Sequence, residues 1–463
     1  MATARTKTAF VLAGGGAKGA FEAGAVSYLV GEEGVVPEII TATSAGALCA
    51  AVMAQARTAE EMVARAHELH HDLLAMSSAD LLFGKQPWVA ALEGTLFGRA
   101  IDHWVLERTR PPVPGETGEA RLERDARRGR SLRLVAQVAR ALPSLGRAGR
   151  RMRGRTGSVL TLEPLANRLR HGGGGISPID PALVARPGLE LRLAVVALGA
   201  GVLRYVTGNG TIVESDALTP VPGEAGGPVD LVDGIIASSS VPMVFPPKAM
   251  AGDAYVDGGV VDNVPVGAAA ALGANRIFAI LAVPLDARPD RYDYSRASAP
   301  VVVLRAVGSI SFAERQRSNL AAALPAGSEL VVIDPLVDVI GPFDVSRGLM
   351  LLNMDYGWMR AADKVALSDA EGALQRRAAE ATDAIVVART QAWHREEEMW
   401  AAGGASPGDV AALVRCKRVV RDALSERKGL GLPTPADAGR WWSGYELHDG
   451  ERPATLPVDL LLD

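Results

Sequence analysis

The amino-acid sequence predicts an α/β fold on a mainly parallel central sheet, and three observations carry that expectation. Residues 6–13 (TKTAFVLA) are an apolar run that opens onto Gly14, Gly15, Gly16, Ala17, Lys18 and Gly19, with a helical segment over residues 20–30 behind it. A second, β-branched run at residues 38–43 feeds an Ala-rich segment, residues 45–55, with Leu48, Val52 and Met53 at helical spacing. Apolar runs at residues 274–284 and 328–335 read as further buried strands. Strand, helix and strand in close succession require a right-handed crossover, which lays the first two strands side by side with their ends at one sheet edge.

The remaining elements follow in order. Residues 57–76 read as a helix, and the WVAALEGTLFG stretch adds short helical pieces. A loop, PPVPGETGE, leads into a segment dense in arginine between Arg121 and Arg155. Within it Leu132, Val135, Val138 and Leu142 fit an amphipathic helix. A basic amphipathic helix suits an anionic membrane surface, while a solvated surface insertion would look the same in sequence. Gly172 to Gly175 form a connector, and residues 189–206 read as a strand pair turning near Gly199 and Gly201. Residues 231–240 form a short helix that Pro242, Pro246 and Pro247 close. Residues 252–262 read as a strand whose end carries Asp257, Gly258 and Gly259. Helical stretches are expected over residues 300–324 and 346–375, then a charged helical remainder and a loose tail with Trp441 and Trp442.

Composition narrows the function classes. A chain of 463 residues with 48% hydrophobic and 22% charged residues is globular rather than disordered. A net charge of −4 gives no bias toward nucleic acid. Two cysteines, Cys49 and Cys416, cannot build a disulfide framework, so a reducing compartment, the cytoplasm, is expected. No signal peptide is expected, because the apolar stretch at the N-terminus is too short for one. No apolar run reaches the roughly 18 residues of a spanning helix, so any membrane contact is peripheral.

Three readings compete for the glycine run. A phosphate-binding P-loop needs a Ser or Thr after its Lys, and Gly19 follows Lys18 instead. A dinucleotide fingerprint is formally met by Gly14, Gly16 and Gly19, but the acid it needs is missing: Glu38 lies at the wrong end of the second strand. The third reading is an oxyanion hole, in which backbone amides converge beside a nucleophile. The candidate nucleophile is Ser44, flanked by Ala42, Thr43, Ala45 and Gly46 at a strand-to-helix reversal. Taken alone, Ser44 reads equally well as a helix cap. Likewise Asp257-Gly258-Gly259 alone reads as a hairpin turn. No histidine has a local catalytic signature, and a Ser-Asp pair needs none, since Asp257 can take the serine proton directly. His67 and His71 share a helix face without a third ligand, so no metal or other cofactor is expected.

Taken together, four stretches resemble the patatin-like phospholipase family. They are the glycine run, Thr43 to Ala47, Ala237 to Pro242 with Phe245-Pro246-Pro247, and Asp257-Gly258-Gly259 with Asn263-Val264-Pro265. The resemblance implies a three-layer α/β/α domain over residues 7–285, interrupted by an arginine-rich insertion at about 111–156. Residues 286–463 then complete the sheet and continue as helices. It implies Ser44 as nucleophile, Asp257 as base, Gly15 and Gly16 as oxyanion donors, and a lipid or phospholipid ester as substrate. Lys18 matches the family's basic residue in the loop. Ala42 departs from the family's glycine, which leaves a weakly catalytic lipid-binding relative as the alternative. A third outcome is an acyltransferase that uses the same acyl-enzyme.

Overall fold

A computed structural model describes residues 6–76, 79–90, 158–285, 294–296, 302, 305–321 and 324–452. Among the described residues nine strands form one sheet: β1 (Thr8–Leu12), β2 (Ile39–Ala42), β3 (Glu190–Ala197), β4 (Val202–Thr207), β5 (Ile212–Val213), β6 (Lys248–Met250), β7 (Asp253–Asp257), β8 (Arg276–Ile280) and β9 (Glu329–Ile333). The order β9-β8-β1-β2-β3-β4-β5 is parallel from β9 to β3 and antiparallel beyond. Strand β7 runs antiparallel on β3, with β6 on its outer side.

The alternation of side chains along β1 builds the layers. Phe10 and Leu12 face one core with Ile40, Ala42 and Phe278; Ala9, Val11 and Ala13 face a second core with Ile277 and Ala279. A strand buried on both faces needs helices on both faces, and therefore reads as a continuous apolar run. The first core is covered by α1 (Ala20–Gly31), α2 (Ala45–Met53), α3 (Ala59–Ala75) and α4 (Leu231–Ser238). The second lies under α5 (Val266–Ala271) and α6 (Phe312–Leu320), through Val266, Ala269 and Leu320.

Helices α7 (Arg347–Ala366), α8 (Gly372–Ala401) and α9 (Pro407–Gly429) follow β9. The sequence reading of one helix over residues 346–375 is corrected here. The chain reverses over residues 367–371, where Leu367 and Ala370 fold under Leu374, Ala378 and Leu432. The strand expected over residues 252–262 stops at Asp257, because a 3-10 turn at Gly258–Val260 follows. The tail is not loose as far as it is described. Trp441 is buried under the Arg389 guanidinium at 3.9 Å, and Arg389 also holds Glu446 and Asp355. Lys417 joins Glu446 and Glu396, and His448 joins Glu396 and Glu397. The segment from Arg121 to Arg155 and most of the WVAALEGTLFG stretch lie outside the described residues. Among the described residues, no helix is long and apolar enough to cross a membrane.

Helix α7 locks onto α1 by backbone-to-backbone approach. A Cβ at Gly24 would stand 1.8 Å from the Met354 carbonyl oxygen, and one at Gly357 would stand 1.8 Å from that of Phe21. Edge-to-face pairs of Phe21 with Tyr356 and Tyr28 with Trp358 flank the contact. Gly24→Ala is therefore expected to lower stability by about 3 kcal/mol, since the methyl forces the two helices apart. The urea unfolding midpoint checks this.

Candidate active site

The site is set by two strands that share one edge of β3. In the parallel ladder Ala42 lies opposite Leu193, so a straight β2 would bring Ser44 opposite Val195. That place is taken, because Asp257 at the end of β7 pairs with Val195. The chain must leave the sheet after Ala42, and the residue that turns out is Ser44. Two strands running toward each other along β3 thus bring a hydroxyl and a carboxylate together across 213 residues of sequence, from position 44 to position 257.

Ser44 adopts φ 55° and ψ −124°. A non-glycine residue in this region is strained by about 1–3 kcal/mol and persists only when its surroundings over-determine it. They do so here. Thr43 N–H donates to the Leu12 carbonyl, and Thr43 Oγ1 to the Asp262 carbonyl. Ser44 N–H donates to Ser238 Oγ at 3.0 Å, and Ser239 Oγ donates to the Ser44 carbonyl at 3.2 Å. Helix α2 then starts so close to β1 that a Cβ at Gly46 would stand 2.6 Å from the Leu12 oxygen. Ser44 occupies the N-cap position, yet its side chain makes no capping hydrogen bond. The cap reading is thereby removed, and the hydroxyl lies close enough to the Asp257 carboxylate to lower its pKa. Ala42, where the sequence departs from the family's glycine, keeps its place in both ladders with its methyl group in the first core.

The glycine loop offers fewer free amides than its length promises. Gly14 N–H donates to Asn263 Oδ1 at 3.2 Å, Ala17 N–H to the Pro342 carbonyl at 2.8 Å, and Lys18 N–H to the Gly15 carbonyl at 3.3 Å. The amides of Gly15 and Gly16 have no acceptor among the described residues. Gly16 must be glycine, since φ is +61° and a Cβ would stand 2.2 Å from the Pro342 oxygen. A Cβ at Gly19 would stand 3.2 Å from that of Ala45, which ties the loop's far end to the start of α2. Lys18 Nζ is held by Asp338 at 2.5 Å.

Asp257 is enclosed, and burial pushes its carboxyl up to about 6, against the lowering effect of the Ser44 hydroxyl and the Gly259 amide. The Gly259 amide donates to Oδ1 at 2.7 Å and fixes the carboxylate's orientation. Gly258 is required by packing, for a Cβ there would stand 2.5 Å from the Ala194 oxygen. No histidine is among these partners, and among the described residues no group of histidine, cysteine or carboxylate side chains is arranged to hold a metal.

A family model of patatin-like phospholipases matches residues 10–270. The chain belongs to the patatin-like phospholipase family. Lipid acyl hydrolysis is accordingly its general activity class, with a lipid as substrate. Among curated proteins nothing matches. Among solved structures the chain is similar to VipD from Legionella pneumophila, at 14% identity and a TM-score of 0.27, covering 92% of this chain and 86% of that one. It is also similar to the type III effector ExoU, at 14% identity and a TM-score of 0.20, covering 94% and 72%. A structure of the ExoU–SpcU complex of Pseudomonas aeruginosa matches at 18% identity and a TM-score of 0.20, covering 94% of this chain and 68% of that one.

Several residues at the site were not assigned roles from sequence. Ser238 and Ser239 lay in a recognised motif, but only the fold shows them gripping both sides of the Ser44 backbone. Asp338, Pro342 and Asn353, whose Nδ2 donates to the Lys18 carbonyl at 3.1 Å, come from the unread C-terminal region.

The raised carboxyl of Asp257 has a thermodynamic consequence. A group held above its unfolded value favours folding while protonated, and that contribution is lost as pH rises through its folded value, about 6 here. Near neutral pH the ionised carboxylate therefore destabilises the fold by on the order of 1–3 kcal/mol. Asp257→Asn is expected to be more stable than the wild type at neutral pH, with the advantage shrinking as pH falls through about 6. Urea titrations at a series of pH values check this.

Proposed function

We propose that the chain is a serine lipid acyl hydrolase of the phospholipase A or lysophospholipase type, working through Ser44 and Asp257. The observation that carries this reading is Ser44, held at a strained elbow with its hydroxyl beside a buried carboxylate whose pKa it lowers. Ser44 Oγ attacks the ester carbonyl carbon while its proton passes to Asp257, and the carbonyl oxygen becomes an oxyanion. The Gly15 and Gly16 amides, without an acceptor among the described residues, are the donors for that oxyanion, where preorganised donors act on the developing charge. Collapse expels the alcohol portion of the lipid, which takes the proton back from Asp257, and leaves an acyl group on Ser44. Asp257 then takes a proton from water, whose oxygen attacks the acyl carbon, and gives that proton to Ser44 Oγ as the acyl–oxygen bond breaks and the fatty acid leaves.

The undistorted ladder at Ala42 supports catalysis over mere lipid binding. The arginine-dense segment between Arg121 and Arg155 extends the reading to an anionic bilayer surface. Co-sedimentation with anionic but not zwitterionic vesicles is expected, and equal binding to both would reject that extension.

Labelling with a fluorophosphonate ester is expected to give one adduct on the wild type and none on Ser44→Ala or Asp257→Asn, read by intact mass. Wild-type protein without an adduct would move the lipid-binding reading ahead. Hydrolysis of a short-chain ester should fall as pH drops below about 6, because a protonated Asp257 cannot accept the serine proton. Transfer products formed when an alcohol is supplied would identify the acyltransferase variant.

A further inference from the structure

Helix α6 begins more than 40 residues beyond the end of the family match, and it presents Gln316 and Asn319 one turn apart on one face. Both side chains reach the same residue. Gln316 Oε1 accepts from Asn263 Nδ2 at 3.1 Å, and Asn319 Oδ1 accepts from the Asn263 backbone N–H at 3.2 Å.

Asn263 in turn touches each part of the site. Its side chain pairs with both backbone groups of Gly14, accepting from N–H at 3.2 Å and donating to the carbonyl at 3.3 Å. A Cβ on Gly14 would stand 2.6 Å from Asn263 Oδ1 and 2.8 Å from Ser44 Cβ, so Gly14 is pressed between the two. On the other side, a Cβ on Gly259 would stand 2.8 Å from Asn263 Oδ1 and 3.0 Å from Asp257 Oδ1. An amide is nearly symmetric in shape but not in hydrogen bonding. Turned by half a rotation, it would set NH2 against the Gly14 N–H and oxygen against the Gly14 carbonyl. The acceptor supplied by Gln316 adds a third bond that only the observed orientation can make.

We propose that Gln316 and Asn319 are positioning residues that lock Asn263, and through it the register of Gly14, Gly15 and Gly16 against Ser44. The inference rests on reading Ser44 as the nucleophile and the Gly15 and Gly16 amides as oxyanion donors. A second feature of Gln316 argues that it serves the site rather than the fold. The side chain is fully buried, yet among the described residues Nε2 has no hydrogen-bond partner. A buried donor without a partner is unfavourable, and an apolar side chain of the same shape would serve packing better. Gln316 thus supplies an oxygen to Asn263 at a cost in stability, as a functional position does.

The test compares full-length wild type, Gln316→Met, Gln316→Glu, Asn319→Ala and Ser44→Ala. For each, kcat and KM on a short-chain chromogenic ester, the rate of fluorophosphonate adduct formation and the urea midpoint are measured. Gln316→Met keeps the volume and removes the amide. It is expected to lose roughly tenfold in kcat and in labelling rate, since a sub-ångström shift of the oxyanion donors suffices for that, with KM and the urea midpoint unchanged or the midpoint raised. Gln316→Glu keeps an acceptor oxygen for Asn263 and is expected to recover most of the lost rate. Asn319→Ala is expected to lower kcat at unchanged KM, and it carries the test alone if Gln316→Met does not fold. Wild-type kcat in folded Gln316→Met, or in Asn319→Ala, overturns the proposal. So does a rate loss matched by a lowered midpoint and not recovered by Gln316→Glu. Absence of an adduct on the wild type instead overturns the underlying assignment of Ser44, so the two failures are distinct.

Discussion

The rest of the structure depends on one constraint: β2 and β7 compete for the same edge of β3. Parallel pairing carries β2 along β3 as far as Leu193, and antiparallel pairing brings Asp257 to Val195, two residues further on. Neighbouring positions on one face of a strand lie roughly 7 Å apart, so the two chain ends meet within side-chain reach. Ser44 is turned out of the sheet because its lane is occupied, and the occupant carries the carboxylate beside its hydroxyl. Had β7 paired with β3 one residue out of register, Asp257 would point to the opposite face of the sheet.

Around this meeting point the fold accumulates unfavourable local features. Ser44 holds a positive φ, Asp257 is ionised only against burial, and Gln316 Nε2 is buried without a partner among the described residues. Glu22 is fully buried beneath the glycine loop, near Gly19 and Cys49, and burial holds its carboxyl well above the usual range. Each is tolerated because two packed cores, one on either face of the sheet, stabilise the whole. Local strain at functional positions balanced by a well-packed scaffold is the general pattern.

The C-terminal helices act as the frame of the glycine loop. Helix α7 presses on α1 through Gly24 and Gly357, and it sends Asn353 to the Lys18 carbonyl. The segment before α7 supplies Asp338 to Lys18 and the Pro342 carbonyl to Ala17. Helix α7 is itself held by buried ion pairs: Asp355 with Arg389 and Asp363 with Arg427. Pairs of this kind add little net stability, because desolvation offsets their attraction, but removing one partner is costly. Their effect here is to fix one arrangement of α7, α8, α9 and the tail, so that the loop above has a single geometry.

The sequence by itself determined the elements and the chemistry at their ends. Apolar runs of strand length alternating with helical segments fixed the parallel sheet, since strands buried on both faces have no polar side to display. Gly46 marked where strand and helix must nearly touch, and a methyl group there would stand 2.6 Å from the Leu12 oxygen. The sequence could not say which loop amides stay free, why Ser44 leaves the sheet, or that residues beyond 285 take part. Those outcomes rest on contacts such as Asn263 with Gly14, 249 residues apart, and Asn353 with Lys18, 335 apart. Hydrogen bonds over such separations leave no period and no local motif, so only the folded chain decides them.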